Sequence, residues 1–322
     1  MNIFASIAGL LGLAFLTGLT AYFGFASVTQ AIASSGWGTV LVIVARAVEL
    51  VGAGVGWWLL LTPIMRRPTV FIGLRFVREA INSIFPLAVV GGDLIGARLL
   101  TRFGVGNSLA IASVLIDLFV QALCLLIFVL VGLGVLLTLT DSHPLTAVTS
   151  VMLAIALPAI AGFFVALNFG AFQPVVRRLI EIGERRQWPA FGHIVDLGDR
   201  LQQIWRNRRG LSASVLVHLV FIFLGAMEVW IALAFMDHPV SLVEAAAIES
   251  LGQGSRAAAF ALPGGLGVQD GTLIAASAVF GVPAEVALAL ALIKRVADLA
   301  IAVPGLLAWQ ALESRRLLSS RK

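Results

Sequence analysis

An all-α polytopic membrane protein, with inverted repeats and two re-entrant broken-helix segments, is the fold class this sequence predicts. Of its 322 residues, 60% are hydrophobic and 12% charged, with a mean hydropathy of +1.01. Several apolar runs are long enough to cross a bilayer core of roughly 30 Å. These runs are rich in Leu, Ala, Val and Gly and lack ten-residue alternation, so spans that bond their own backbones are helices rather than barrel strands. The third observation is a repeated spacing. Glu79-x6-Pro86-x6-Asp93 contains Gly91-Gly92, and Arg256-x6-Pro263-x6-Asp270 contains Gly264-Gly265. Helix breakers and ionisable groups at membrane depth in two halves of a chain point to a transport site between internal repeats.

The elements follow in chain order. Asn2 to Ala26 is uncharged, apolar and without a basic leader, and reads as a retained first helix. Trp37 to Thr62 is the second. Arg66, Arg67, Arg75 and Arg78 then precede a broken segment, Glu79 to Leu100, which Arg98 and Arg102 close; Arg on both flanks puts both ends of that segment in the cytoplasm. Ser108 to Thr138 and Thr146 to Phe169 are two further helices, joined by a turn that holds Asp141, His143 and Pro144 but no Lys or Arg and so faces away from the cytoplasm. The polar stretch Phe172 to Gly210 carries eight Arg against four acids, which assigns it to the cytoplasm. Val175, Val176, Leu179 and Ile180, then Ile194, Leu197, Leu201, Ile204 and Trp205, recur at helical spacing with Arg opposite, as in interfacial helices; an ordinary solvated connector is the alternative. Leu211 to Met236 crosses back, Ala245 to Phe280 is the second broken segment, and Ala284 to Leu312 returns to a tail bearing Arg315, Arg316, Arg321 and Lys322. Both termini are then cytoplasmic, and the broken segments enter from opposite sides. The whole of 1–322 reads as one transmembrane domain with halves at about 37–138 and 211–312 and a cytoplasmic segment at 172–210.

The repeat register extends beyond the Pro and Asp. Asp117 lies 31 residues after Pro86 and Lys294 lies 31 after Pro263; upstream, Glu49 precedes Pro86 by 37 residues and Glu228 precedes Pro263 by 35. The glycine pairs do not align, because one precedes the Asp and the other follows the Pro.

An ionisable group inside a span costs roughly 2.5–3.5 kcal/mol on insertion scales, which makes each one a functional candidate. The inventory is Arg46, Glu49, Asp93, Asp117, Glu228, Glu249, Arg256, Asp270, Lys294, Arg295 and Asp298. Arg46/Glu49 and Arg295/Asp298 at i,i+3 and Lys294/Asp298 at i,i+4 share helix faces and are expected to neutralise one another locally. Around Pro263, Gly264, Gly265 and Gly267 no continuous helix can form, so the freed amides need polar partners or water. A half-helix starting near Gly267 would direct its positive end at an anion, either Asp270 or a substrate head group.

Composition and motifs also exclude. The net charge of +5 reflects Arg placed between spans rather than a nucleic-acid face. Cys124 is the single cysteine, and His143, His193, His218 and His238 are scattered without metal-ligand spacing, so neither a disulfide, a metal nor a cofactor is expected. A serine-hydrolase elbow and a phosphate-cradling P-loop are both lacking. Glu249 with Gly254-Ser255-Arg256 is the strongest enzymatic candidate, as acid, hydroxyl and guanidinium near a broken helix.

Asn82-x3-Pro86, Gly92-Asp93 and Arg98, together with Pro263-Gly264-Gly265-Leu266-Gly267-Val268-Gln269-Asp270 and Lys294-Arg295-x2-Asp298, resemble the flippase-like transmembrane domain of lysylphosphatidylglycerol synthases over nearly the whole chain. Asp93 and Asp270 stand where that family often has Glu. The stretch Trp188 to Gln202 is similar to the hopanoid-biosynthesis-associated branch. No aminoacyl-transferase domain is expected after Lys322, and with it no lipid aminoacylation. The resemblance implies a non-enzymatic lipid translocase of the bacterial inner membrane, with a hopanoid or phospholipid as cargo and a second copy or pathway proteins as partners. On that reading Asp93 and Asp270 line the path, Arg256 and Lys294 contact head-group oxygens, and Glu49, Asp117 and Glu228 complete it, with Arg295 and Asp298 nearby. Two alternatives stand beside it: a polyprenyl-pyrophosphate phosphatase-like enzyme, although the first half lacks an acid cluster matching Glu244/Glu249, and a scaffold for hopanoid enzymes.

Overall fold

Twenty-four residues free of proline, Trp37–Leu60, form α1, and its side chains sort in the reverse of a water-soluble helix. Val40, Val44, Val48 and Val51 are exposed, whereas Arg46 lies on the buried face with Val42, Leu50 and Trp57. An apolar outer stripe with charge turned inward suits lipid, where an intramembrane charge must find its partners inside the protein.

The computed structural model describes residues 35–84, 91–139, 196–259 and 267–319, with single positions at 30, 33 and between 150 and 168. Among the described residues all regular structure is helical. After α1 come α2 (Pro68–Ile84), α3 (Gly91–Thr101), α4 (Asn107–Leu139), α5 (Leu197–Arg206), α6 (Arg208–Phe235), α7 (Leu242–Ala258), α8 (Val268–Val279) and α9 (Ala284–Ser319). Of these, α1, α4 and α6 are long and apolar enough to cross a membrane, so the chain is an all-α membrane protein. The expected helix at 2–26, the turn with Asp141, His143 and Pro144, the stretch 172–195, Pro86, and Pro263, Gly264 and Gly265 lie outside the described residues, as does most of the expected helix at 146–169.

The boundaries of the broken segments need correction. The first begins not at Glu79 but at Pro68, a residue suited to a first helical turn because its missing N–H would have had no partner there. Arg75 and Arg78 therefore belong to α2 rather than to a basic loop, and only Arg66 and Arg67 stand in the exposed link before it. The second segment opens with α7, fastened by a capping box: Ser241 Oγ accepts from the Glu244 N–H, and the Glu244 carboxylate accepts from the Ser241 N–H at 2.7 Å. At 11 and 12 residues, α3 and α8 reach only about 16–18 Å, short of a bilayer core.

Helix packing follows a paired pattern. Contacts of α1 with α2, α2 with α3, α3 with α4, and α1 with α4 are matched by α6 with α7, α7 with α8, α8 with α9, and α6 with α9. Between the groups, α2 on α9 corresponds to α7 on α4, and α1 on α9 to α6 on α4, while α1 packs on its own counterpart α6. In that last contact Gly52 and Gly56, one turn apart, let α6 approach closely: a Cβ on either would overlap Phe221 or His218.

Helix α5 realises the spacing of Leu197, Leu201, Ile204 and Trp205. Its stripe is taken up by the protein, since it packs on α4 and Trp205 meets Phe119 edge to face at 5.9 Å.

Candidate functional site

Positions 75, 78, 79 and 82 of α2 fall within one helical stripe, and the stripe divides between two ionic clusters. Arg78 is wholly buried. Its Nε donates to Asp93 of α3 at 2.7 Å, its Nη1 donates to Asp117 of α4 at 2.7 Å, and its guanidinium lies 4.7 Å from the Trp57 ring. Asn82 braces the same corner, accepting from the Gly92 N–H at 2.9 Å. Asp117 also accepts from Gln121 at 2.8 Å, and its other oxygen faces His218 of α6 at 3.4 Å.

Glu79 turns the other way. Arg46 of α1 binds it at 2.8 Å, Arg75 at 3.4 Å, and Arg256 of α7 at 3.7 Å. Glu79 and Arg256 each stand seven residues before the proline of their own segment, so the ion pair joins equivalent positions of the two halves. Arg46 also holds Glu49 at 2.6 Å and Asp298 of α9 at 3.3 Å.

These groups wall a cavity of about 250 Å³ among α1, α2, α4, α6 and α7. Its polar lining includes Arg46, Glu49, Arg75, Glu79, His218 and Arg256, joined by the amides of Gln121 and Gln253. Of the residues the sequence proposes for a path, Glu49 and Arg256 line this cavity, and Asp117 reaches its wall through Gln121 and His218. Asp93 and its partner Arg78 are not in the lining.

The remaining candidates form two separate groups. Lys294 of α9 donates to Glu228 of α6 at 2.6 Å and to Glu249 of α7 at 3.0 Å, with Gln253 donating to Glu249. Lys294 is not in the cavity lining. Asp270 stays at the start of α8, where its carboxylate accepts from the Gly267 N–H at 3.1 Å and pairs with Arg295 at 3.3 Å. The positive φ of 83° at Gly267 explains why glycine begins this half-helix. Local neutralisation is thus right for Arg46/Glu49 but needs correction for α9: Lys294, Arg295 and Asp298 each pair with a different helix rather than with one another.

A family model described as the lysylphosphatidylglycerol synthase TM region matches residues 6–305. The chain belongs to that family. No curated protein and no solved structure matches it. The polar cavity of this lysylphosphatidylglycerol synthase-type transmembrane region therefore has to be read from its own residues. Among them Arg75 and Glu79, absent from the sequence inventory as path residues, are central, and so are His218, Gln121 and Gln253; Arg78, also absent from that inventory, is outside the lining and pairs with Asp93 and Asp117.

The α1–α6 contact gives one direct test. Gly56→Ala is expected to displace the His218 ring and to cost about 1–3 kcal/mol through overpacking, read as a lowered unfolding temperature of the purified protein. Gly73→Ala, where a Cβ meets nothing, is its control.

Proposed function

We propose that this protein translocates an amphipathic lipid across the membrane, its polar head group passing through the cavity while its apolar tail stays in lipid. The observation that carries this reading is an ionic cavity lined by helices, of which α1, α4 and α6 expose apolar residues. A polar head group crossing roughly 30 Å of hydrocarbon needs such a lining, whereas the tail does not. Arg75 and Arg256 are the groups with capacity for head-group oxygens. They hold Glu79 at 3.4 and 3.7 Å, longer than the 2.8 Å of Arg46, and the buried Nε of Arg75 has no hydrogen-bond partner. A head-group phosphate would draw both guanidiniums away from Glu79, and Arg46 would keep that carboxylate paired.

The paired helix packing supports two inverted repeats that meet at the cavity, with α2–α3 and α7–α8 as re-entrant hairpins. The favoured cargo is a hopanoid, a phospholipid being the other, in the inner membrane with both termini cytoplasmic. A transport rather than an enzymatic role is favoured by Ser255, the hydroxyl candidate of the phosphatase-like alternative: it is fully buried and donates to the Gly252 carbonyl of its own helix.

Arg256→Ala tests the path. The Arg256 side chain is 23% exposed, so its loss should leave the fold intact. The variant should lower the transfer of labelled lipid between vesicle leaflets at least tenfold, with the protein still folded. Normal leaflet transfer would remove Arg256 from the mechanism. Lipid profiles of both membranes in a deletion strain separate a hopanoid from a phospholipid cargo, and phosphate release from a polyprenyl pyrophosphate would favour the enzyme instead.

A further inference from the structure

His218 is held in one orientation on the cavity wall. Its Nδ1 lies 2.9 Å from the Ser214 carbonyl oxygen, which can only accept, so Nδ1 carries a hydrogen. Nε2 then points at Asp117 Oδ1, 3.4 Å away, and both of these buried atoms have no hydrogen-bond partner. In the neutral ring this sets a lone pair against a carboxylate oxygen. One added proton turns the repulsion into a charge-assisted hydrogen bond.

Charge balance points the same way. Asp93 and Asp117 share a single guanidinium, Arg78, and an imidazolium at His218 brings that buried cluster to neutrality. Among the described residues, the other charged groups packed around α6 each face a counter-charge of their own. From α1, Arg46 and Glu49 pair with each other; from α2, Arg75 and Glu79 pair; from α7, Arg256 faces Glu79 and Glu249 faces Lys294. From α9, Lys294 is held by Glu228, ten residues further along α6. Helix α5 turns Asp199 and Arg206 to the surface and bonds Arg200 to Gln203.

We propose that His218 Nε2 and Asp117 Oδ1 form a proton-binding site on the cavity wall, through which proton uptake and release are coupled to filling and emptying of the cavity. The proton comes from water in the cavity, forms the Nε2–H bond, and returns to that water when the ring reverts to its Nδ1–H form. Because proton and head group share one cavity, each changes the affinity for the other by the same factor. The coupling rests on the lipid-translocation reading. The proton site does not.

The test is a titration of the full-length protein with ¹⁵N-labelled histidine, following the ring nitrogens by NMR over about pH 5 to 9. His218 is assigned by its absence in H218Q. The expected result is passage from a doubly protonated ring to the Nδ1–H tautomer, and a change in that passage in Asp117→Asn, which removes the carboxylate oxygen facing Nε2. A His218 that keeps one protonation state throughout, or a neutral ring carrying its hydrogen on Nε2, overturns the site; so does an unchanged passage in Asp117→Asn. Should Asp117→Asn not fold, the wild-type titration and its tautomer still decide. In vesicles of phosphatidylglycerol and phosphatidylethanolamine, transfer of labelled phosphatidylglycerol should change several-fold under an imposed pH gradient and lose that response in H218Q. Gradient-indifferent transfer overturns the coupling. No transfer of phosphatidylglycerol at any pH overturns the phospholipid cargo and its coupling, and leaves the titration standing.

Discussion

Replacing Arg78 with Ala is expected to destabilise the protein by roughly 3–5 kcal/mol, the cost of breaking a buried ion pair from one side. Asp93 is 4% exposed and Asp117 is wholly buried, so neither carboxylate can recover its hydration once the guanidinium is gone. Asn82 at 3.5 Å and Gln121 at 2.8 Å would be left as neutral donors to two charges. The Trp57 ring would also lose the cation above it and part of its packing. The expected readout is a large fall in unfolding temperature and in the yield of monodisperse protein. Arg78→Leu combined with Asp93→Asn and Asp117→Asn should recover most of the loss, because it removes the uncompensated charge. A triple variant as unstable as Arg78→Ala would mean that packing of the arginine stem, rather than its charge, holds this corner together.

That arginine also shows what a sequence reading can and cannot reach. The spans are legible because apolar length is a local property: Trp37 to Thr62 and Leu211 to Met236 differ from α1 and α6 by no more than three residues at either end. The opening of α8 is legible as well, since Gly267 and Asp270 interact three residues apart. Arg78 is hidden by its neighbours. Arg66 and Arg67 are exposed link residues, and a basic run starting with them looks like cytoplasmic loop by the charge statistics of such loops. The signal that separates the two pairs is periodicity: Arg75, Arg78, Glu79 and Asn82 recur at i, i+3, i+4 and i+7, the spacing of one helix face. His218, Gln121 and Gln253 escaped for another reason. A polar residue in an apolar run is read by its own charge, whereas their roles come from Asp117, Ser214 and Glu249 on or across the helices. Partner choice is the least legible layer. Asp298 has Lys294 and Arg295 on its own helix and pairs with Arg46, because the packing of α9 on α1 brings that guanidinium closer.

Lys294→Met is the second substitution expected to be severe, and its pattern of rescue should be unlike that of Arg78. Glu228 and Glu249 are each 1% exposed and share the one ammonium, at 2.6 and 3.0 Å, with Gln253 as a neutral donor to Glu249. Removing Lys294 leaves two buried carboxylates facing the vacated position, a loss of about 3–5 kcal/mol, with their mutual repulsion added. Neutralising one acid alone should be mild. Glu228→Gln leaves a balanced Lys294–Glu249 pair and a side chain of similar volume, so a change within about 1 kcal/mol is expected from chemical unfolding of the purified protein. Lys294→Met with Glu228→Gln should be less damaging than the sum of the two single changes, because residues in direct contact couple. Strict additivity would show that the ammonium does not bridge the two acids. Lys294 and Asp117 stand at the same distance from the prolines of their segments yet carry opposite charge, and each has recruited its counter-charges from other helices. Exchanging them for one another should therefore fail at both sites, since Arg78 would meet a second cation and Glu228 with Glu249 a third anion.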